Sequence, residues 1–325
     1  MIWALLCVLL AWQNILPALD QQAQDALFQR TTAPSRHIQV IGIDEDTVLA
    51  LGTSFTTWSR RETANLINVL NADPENKPAV IGVDIMFFTE ADALLAEACR
   101  AGSNVVMATQ ASFSKRVVQD ETGYHFDEFH VEDFLLPYDA LREVSTLAHV
   151  NTLLDEDGVV RNAVQQIEWR GGVSQSLAKT VADIFARQNG ISLADPELDA
   201  FGCFPIRYAA KGGAYYGGNS FIKVLEGQIP ARRFAGQIVL IGAYTSGMMD
   251  AYATPIDPGA PMNGVEIHAN IADALLSGRH FTVMPLWLQL LLTGLFVFTA
   301  VFLFLRLRPV KGAAVFAAVL AAVAA

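Results

Sequence analysis

Residues 20–280 alternate short runs of β-branched residues with stretches whose apolar residues recur every three or four positions. Runs of the first kind predict buried strands, and stretches of the second kind predict helices with one buried face. Helical stretches separate the runs at 37–43, 80–83 and 105–108, which is the pattern of two successive βαβ units. Because such crossovers join parallel strands and cover the sheet, we predict an α/β fold with a mostly parallel sheet and flanking helices.

The first two predicted helices carry start signals. Ser59 and Glu62 form a capping box ahead of the first helix, and Thr89 with Asp92 predicts the start of the second. The residues predicted to be buried are Ala64, Ile67 and Leu70 in the first helix and Ala91, Leu94, Leu95 and Ala98 in the second. Each helix is therefore expected to pack one apolar stripe on the sheet.

The rest of this segment is less regular. Residues 111–148 contain scattered glycine, proline and acidic residues, which predicts a surface excursion of loops and short elements. The predicted elements that follow are a strand at 159–167, a helix from Leu177 to Phe185, a glycine-rich turn at 212–218, a strand at 237–242, a long loop from Met248 to Gly264 and a final helix from Gly264 to Ser277. Gly278 is placed to end that final helix.

The segment from Met284 to Leu305 carries no charged residue and is strongly apolar. Its length matches the roughly 20 apolar residues that cross a bilayer. Arg306, Arg308 and Lys311 follow directly, and basic residues mark the cytoplasmic side of a span. Residues 284–305 are therefore predicted to be a transmembrane helix, with the residues before it outside the cytoplasm.

Two further apolar stretches lie at the ends of the chain. Residues 1–19 lack a cleavage pattern of small residues, which favours an anchoring helix over a removed signal segment. Residues 313–325 predict the start of a further span that continues past the last residue. The predicted organisation is an anchor, an extracytoplasmic domain at 20–280 and spans from residue 284 onward, with more of the protein expected after them.

Charge and cysteine content limit the possible partners. The chain has 33 acidic residues against 22 Lys and Arg, and its formal net charge is −11. Nucleic-acid binding needs clustered basic side chains, so we expect no nucleic-acid partner. Cys99 and Cys203 can pair in an oxidising compartment, although their separation and flanking residues favour free thiols, and Cys7 lies in the apolar N-terminal stretch.

Two predicted strands end in nearly the same residues, Ile41-Gly-Ile-Asp44 and Ile81-Gly-Val-Asp84. Each strand places an aspartate just past its carboxyl end, and in an open parallel sheet this edge forms the ligand crevice. The competing interpretation is that both aspartates cap the structure that follows. Arg60 is a natural partner for either carboxylate, and the neighbouring Trp58 fits either a ligand platform or, more commonly, a core position.

Three more residues complete the candidate set. Arg161 follows the Asp155–Gly158 turn on a predicted strand and can reach the same crevice. Asp250 lies in the long loop after the strand at 237–242, and His268 lies near the start of the final helix. These residues and the two strand-end aspartates include possible metal ligands, whereas the apolar neighbours of His268 also fit a packed core histidine. The candidate ligand-binding residues are Asp44, Trp58, Arg60, Asp84, Arg161, Asp250 and His268.

Several blocks of the chain resemble the second class of CHASE domains (cyclases/histidine kinases associated sensory extracellular). In the order of the family they are Val40–Asp44, Trp58–Arg60, Ile81–Phe87, Asp155–Arg161, Ile238–Ala243, Asp250 with Thr254-Pro255, and Gly264–Asn270. The resemblance spans residues 20–280. One departure is Phe55-Thr-Thr-Trp58, because the family often has Trp-Pro-Trp before the arginine.

The resemblance implies an extracytoplasmic sensory domain, flanked by membrane spans and followed by a cytoplasmic nucleotide cyclase, histidine kinase or other signalling output. It does not identify the ligand. We therefore predict the ligand-sensing part of a receptor in the bacterial inner membrane, with a periplasmic main domain. This receptor is expected to be a homodimer that binds a small-molecule or ionic ligand, and this chain is expected to use no cofactor and to catalyse no reaction.

Ligand binding at the strand ends is expected to shift the final helix, which a few residues connect to the span at 284–305. Two alternatives remain open from the residues alone. One is a membrane-anchored metal-dependent hydrolase that uses Asp44, Asp84, Asp250 and His268. The other is a dimerisation module without a ligand.

Overall fold

A six-stranded sheet lies at the centre of residues 30–281. The structure, a computed structural model, describes residues 25, 30–53, 58–89, 93–120, 123–245, 250–281 and 284–306. In spatial order the strands are β1 (Ile38–Ile43), β10 (Ile238–Ala243), β2 (Val80–Asp84), β3 (Val105–Asp120) and β4 (Gly123–Leu135), with β5 (Thr146–His149) beside β3. All are parallel except β4, which pairs with β3 in the antiparallel direction. The predicted α/β fold is confirmed.

Helices cover both faces of this sheet. The helices α2 (Arg60–Leu70), α3 (Leu94–Gly102) and α6 (Phe221–Leu225) pack on one face, and α5 (Leu177–Asn189) and α7 (Gly264–Ser277) pack on the other. The other elements of residues 30–281 are α1 (Glu45–Leu51), α4 (Asp139–Arg142), a 3₁₀ helix (Ala231–Phe234), β6 (Asn162–Val164), β7 (Gln166–Trp169), β8 (Gly172–Gln175), β9 (Cys203–Pro205), β11 (Ala251–Thr254) and β12 (Asp257–Asn263).

The strand β10 lies between β1 and β2, although it comes last of these strands in sequence. The chain first moves outward from β1 to β2, β3 and β5, with α2 and α3 on one face. A right-handed crossover that returns across the sheet must place its helix on the opposite face, and α5 lies there before β10. This return brings the end of β10, and α7 after it, beside the end of β2.

Residues 111–148 are more regular than predicted. β3 continues to Asp120 and pairs with β4, so a long antiparallel hairpin replaces most of the predicted loops. The apolar core of this region is small and consists of Ala111, Phe134, Val164, Ile167 and Cys203. Because little of the hairpin is buried, its sequence lacks the continuous apolar run that marks a fully buried strand. The prediction of loops was wrong for this reason.

Three other element predictions need correction. The predicted loop at 248–264 contains the hairpin of β11 and β12, and the predicted strand at 159–167 is divided between β6 and β7. The helix predicted to start near Thr89 begins at Leu94, where no side chain caps it and Leu94 is 40% exposed. Ala91 and Asp92, predicted to be part of that helix, lie outside the described residues.

The predicted ends of two helices are confirmed. The Ser59 side chain caps α2 and accepts a hydrogen bond from the backbone amide of Arg61. Gly278 ends α7 with a φ of 63°, a left-handed conformation that glycine adopts without steric cost. The bounds of α7 are therefore those that the sequence predicts.

The two described cysteines are free thiols. Cys99 and Cys203 are both buried and do not form a disulfide. Burial raises the pKa of each thiol to about 12, so neither is a reactive thiolate at neutral pH. The free-thiol interpretation is confirmed for this pair.

The remaining unit consists of residues 1–29 and 282–325, of which the structure describes Asp25 and residues 284–306. Its helix α8 (Leu286–Arg306) exposes large apolar side chains, among them Trp287, Leu291 and Phe298. Among the described residues, no helix combines the length and the apolar character that crossing a membrane requires. The predicted anchor at 1–19 and the predicted further span at 313–325 lie outside the described residues.

Candidate functional site

Three ionisable side chains meet at the carboxyl ends of the parallel strands. Asp84 is the last residue of β2, Asp250 directly precedes β11, and His268 lies in the second turn of α7. All three line a cavity of about 150 Å³. The His268 Nε2 atom lies 3.9 Å from Asp84 Oδ2, and the two side chains are only 4% and 11% exposed. The crevice predicted from the sequence therefore contains Asp84, Asp250 and His268.

Two glycines allow these elements to approach each other. Gly242 on β10 pairs in register with Asp84, and a Cβ atom at this position would lie 2.8 Å from the Cβ of Val265 on α7. A Cβ atom at Gly264 would lie 2.7 Å from Asp250 Oδ1 and 2.8 Å from Oδ2. The Asp250 carboxylate therefore lies against the first turn of α7, where the helix dipole favours negative charge.

A larger cavity of about 540 Å³ shares Asp84, Gln110 and Asp250 with the small one. Its other walls are mostly apolar and include Trp58, Ile85, Met86, Phe87 and Phe88. Arg60 also lines it, and its guanidinium donates to the Thr89 hydroxyl at 2.7 Å and lies 5.6 Å from the centre of the Phe87 ring. A ligand in this cavity would meet an apolar wall, two carboxylates and the Arg60 guanidinium.

Burial makes both carboxylates hard to ionise. It raises the pKa of Asp84 to about 7. It also raises the pKa of Asp250 to about 7, with a further increase from the charge of Asp84 and opposing effects of His268 and a hydrogen bond from Tyr252. The two acids therefore hold about one proton between them near neutral pH.

The imidazole of His268 is neutral at pH 7. Burial lowers the pKa of His268 to about 4, against the opposing effect of Asp250. The 3.9 Å contact between His268 and Asp84 is therefore not an ion pair. His149 at the end of β5 is also buried, and burial together with the nearby His268 lowers its pKa to about 3.

The described part of the chain contains no group of three or more His, Cys, Asp or Glu side chains arranged to hold a metal ion. Asp44, the fourth residue of the predicted metal set, lines neither of the two cavities. The metal-dependent hydrolase considered from the sequence therefore gains no support from this site.

The family model of the CHASE2 domain matches residues 2–305. The chain belongs to the CHASE2 domain family. This family consists of extracellular sensory domains, so the resemblance noted in the sequence is confirmed and sensing is the function consistent with it. Neither the curated proteins nor the solved structures contain a match to the chain.

In this CHASE2 domain the Asp44 carboxylate caps a helix. It accepts hydrogen bonds from the Thr47 amide at 3.0 Å, the Thr47 hydroxyl at 2.6 Å, the Ser220 hydroxyl at 2.9 Å and the Tyr216 hydroxyl at 2.7 Å. Burial alone would raise the pKa of Asp44, but these hydrogen bonds outweigh it and lower the pKa. The interpretation of Asp44 as a capping residue is therefore confirmed. A contact between Asp44 and a ligand stays a prediction.

Trp58 and Arg161 also make internal contacts. Trp58 is buried, and its indole nitrogen donates to the Thr63 hydroxyl at 2.9 Å. Trp58 nevertheless lines the larger cavity together with Arg60. Arg161 forms ion pairs with Asp155 at 2.8 Å and Asp157 at 2.7 Å and lines neither cavity. Five of the seven candidates therefore line the two cavities, and Asp44 and Arg161 do not.

Sequence reasoning missed two neutral residues of the site. Gln110 lies where β3 leaves the parallel sheet for its hairpin, and Tyr252 on β11 donates its hydroxyl to Asp250. Near them, Asn151 exchanges two hydrogen bonds with the backbone of Ala111, at 2.8 and 2.7 Å. Tyr252 lies two residues after Asp250, and the alternation of a strand would have placed both side chains on one side.

The polar residues of α7 were also missed. Glu266, Asn270 and Asp273 recur along one side of the helix and are buried. Asn270 accepts hydrogen bonds from the amides of Ala209 and Ala210, at 2.9 and 3.1 Å. These side chains hold the glycine-rich segment against α7.

Asp273 joins three parts of the chain. Its Oδ2 atom accepts hydrogen bonds from the Ser35 amide and the Tyr215 hydroxyl, both at 2.7 Å. Its Oδ1 atom pairs with Arg279 at 3.3 Å, and Arg279 also donates to the Thr32 hydroxyl at 2.8 Å. The residues that enter and leave this unit are therefore linked through one carboxylate.

We expect Gly264→Ala to disturb the site. The added methyl group would overlap the Asp250 carboxylate, so the free energy of unfolding should fall by about 1–3 kcal/mol. Urea denaturation measures this change. Gly259→Ala is the matched control, because the nearest heavy atom to a Cβ atom there is 3.9 Å away. Equal stability of the two variants would contradict the close packing of Asp250 on α7.

Proposed function

We propose that this CHASE2 domain is the ligand-sensing part of a bacterial transmembrane receptor. The observation that carries the proposal is the pair of largely buried carboxylates, Asp84 and Asp250, in a cavity that also has an apolar wall. Burying charge without a compensating partner costs stability, and proteins tolerate that cost mainly where function needs it. Membership of an extracellular sensory family supports the same function.

The proposed topology places residues 30–281 in the periplasm and residues 284–305 across the inner membrane. The uncharged apolar sequence of 284–305 and the basic residues after it support this arrangement. We further propose that the receptor controls a cytoplasmic output, either a nucleotide cyclase or a histidine kinase. That it works as a homodimer stays a prediction.

The proposed coupling runs through α7. His268 and Gly264 of this helix lie at the cavity and against Asp250, and residues 278–285 connect α7 to α8 in sequence. A ligand that contacts α7 can bias the receptor only if it binds one of two states more tightly. Contacts to His268 are the means by which such a preference would arise.

The test of function uses the full receptor in cells. The double variant Asp84→Asn with Asp250→Asn is expected to abolish the change in second messenger or autophosphorylation that a defined mixture of small metabolites elicits. Asp139→Asn, at an exposed position with a side chain 84% accessible, is expected to respond like the wild type. A double variant that responds fully would show that the site is not where the stimulus binds.

The test of topology uses cysteine labelling with a membrane-impermeant maleimide. The natural Cys99 and Cys203 are buried, so a cysteine introduced at the exposed Glu97 reports on the main domain. Glu97→Cys is expected to label in spheroplasts without lysis, and Lys311→Cys only after permeabilisation. Labelling of Glu97→Cys only after permeabilisation would place the domain in the cytoplasm and contradict the proposed receptor topology.

A further inference from the structure

The inner end of the cavity presents hydrogen-bond acceptors without a cation to match them. Burial raises the pKa of Asp84. Among the described residues no Lys or Arg lines the cavity of about 150 Å³, and Arg60 lines only the larger cavity. Burial is also the largest cause of the raised pKa of Asp250, followed by the effects of Asp84, His268 and Tyr252. A pair of buried carboxylates in this state gains stability from any positive group that enters the cavity.

His268 adds an independent sign of a ligand. Its side chain is 4% exposed, and within the described part of the chain its Nδ1 atom has no hydrogen-bond partner. Its Nε2 atom is too far from Asp84, at 3.9 Å, for a hydrogen bond. A neutral imidazole has one acceptor nitrogen, and a buried polar atom without a partner costs stability until a partner arrives.

An ammonium group matches this set of acceptors. It carries one positive charge and up to three N–H donors, and Asp84, Asp250 and His268 offer three acceptors around one cavity of about 150 Å³. The cavity of about 540 Å³ beyond it has apolar walls, including Met86 and Phe87, that suit a hydrocarbon body. A metal ion fits less well, because the described residues lack a metal-binding group.

We infer that the cavity binds a small organic amine in its protonated form, with the ammonium group on Asp84, Asp250 and His268 and the apolar part of the ligand against Met86 and Phe87. This inference rests on the proposed function, because it assigns a ligand class to the same site.

Proton release should accompany amine binding. The groups that face the ammonium position are Asp84 from β2, Asp250 and Tyr252 at β11, His268 from α7 and, behind it, His149 from β5. The Arg60 guanidinium of α2 lines the larger cavity, where the rest of the ligand would lie. Of these, only the two carboxylates titrate near pH 7, and an arriving ammonium replaces the proton that they share. Because protons compete with the amine, its affinity should fall about tenfold from pH 8 to pH 6.

The experiment measures binding to the purified full chain in nanodiscs. The probes are matched pairs of an amine and its neutral alcohol: cyclohexylamine with cyclohexanol, benzylamine with benzyl alcohol, and ethanolamine with ethylene glycol. Calorimetry is expected to detect binding of the amines and not of the alcohols. Repeating the titrations at pH 7 in buffers of different ionisation enthalpy measures the number of protons released, because the observed heat then depends on the buffer. Asp84→Asn and Asp250→Asn should each weaken amine binding at least about tenfold, and Asp139→Asn should not change it.

Several outcomes would overturn the inference: alcohols that bind as tightly as amines, amine binding that Asp84→Asn leaves unchanged, proton uptake instead of release, or no binding by any amine. These outcomes differ from failure of the proposed function. If amines do not bind but the double variant still abolishes the receptor response, the amine assignment alone is wrong. If amines bind but the double variant signals normally, the binding site stands and the sensing role is wrong.

Discussion

Glu266→Ala is expected to destabilise residues 30–281 more than any other substitution considered, on the order of 5 kcal/mol. The buried Glu266 carboxylate accepts hydrogen bonds from the amides of Gly213, Tyr215 and Tyr216, at 2.7 to 3.2 Å, and from the Tyr244 hydroxyl at 3.1 Å. Alanine would leave these donors without a partner inside the protein. Each buried unsatisfied donor costs about 1–3 kcal/mol.

Chemical denaturation of the purified chain measures this effect. Glu97→Ala is the matched control, because Glu97 is exposed on α3, and its stability should change by less than about 0.5 kcal/mol. Glu266→Gln keeps one acceptor oxygen and should fall between the wild type and Glu266→Ala. A loss below about 1 kcal/mol for Glu266→Ala would show that Glu266 does not hold the glycine-rich segment.

Asp84→Asn is expected to stabilise the protein, and more at high pH than at low pH. Below about pH 4 Asp84 is protonated in both the folded and the unfolded chain. Between about pH 4 and pH 7 the unfolded chain releases the proton while the folded chain keeps it, so the wild type loses stability as pH rises through this range. The gain from Asn should therefore grow from about 2 kcal/mol at pH 5 to about 4 kcal/mol at pH 8.

Thermal unfolding at the two pH values checks this expectation. A gain of about 4 kcal/mol raises the midpoint on the order of 10 °C for a unit of this size. Asp139→Asn should shift the midpoint little at either pH, because the Asp139 side chain is 84% exposed. A destabilised Asp84→Asn variant, or the same gain at both pH values, would show that the Asp84 carboxylate carries no burial cost.

The alternation of strands and helices was sufficient to predict the mostly parallel sheet and its flanking helices. It was not sufficient to separate Asp44 from Asp84, because both follow an Ile-Gly-x sequence at a strand end. The difference lies in what comes next. α1 begins at Glu45 and takes the Asp44 carboxylate as its cap, whereas the residues directly after Asp84 line the cavity and α3 starts only at Leu94.

The polar side of α7 shows a second limit of sequence reasoning. Periodicity marks Ile267, Ile271 and Leu275 as buried, and they are, but it gives no indication that Glu266 and Asp273 are buried as well. Both are buried because the irregular segment around Tyr215 covers that side of the helix. Contacts of this kind join residues that are far apart in sequence. They follow no regular spacing along the chain, so a single sequence does not reveal them.

The Asp273 carboxylate has a consequence for how a stimulus would leave the sensory unit. Ser35 and Arg279 stand at opposite ends of this unit in sequence, yet both bind Asp273, so the points of entry and exit of the polypeptide are clamped together. A displacement of α7, which carries Asp273, would therefore act on the segments around Ser35 and Arg279 at the same time. In the proposed receptor the two flanking segments would then move together. A substitution of Asp273 would remove this link and leave the lining of both cavities unchanged.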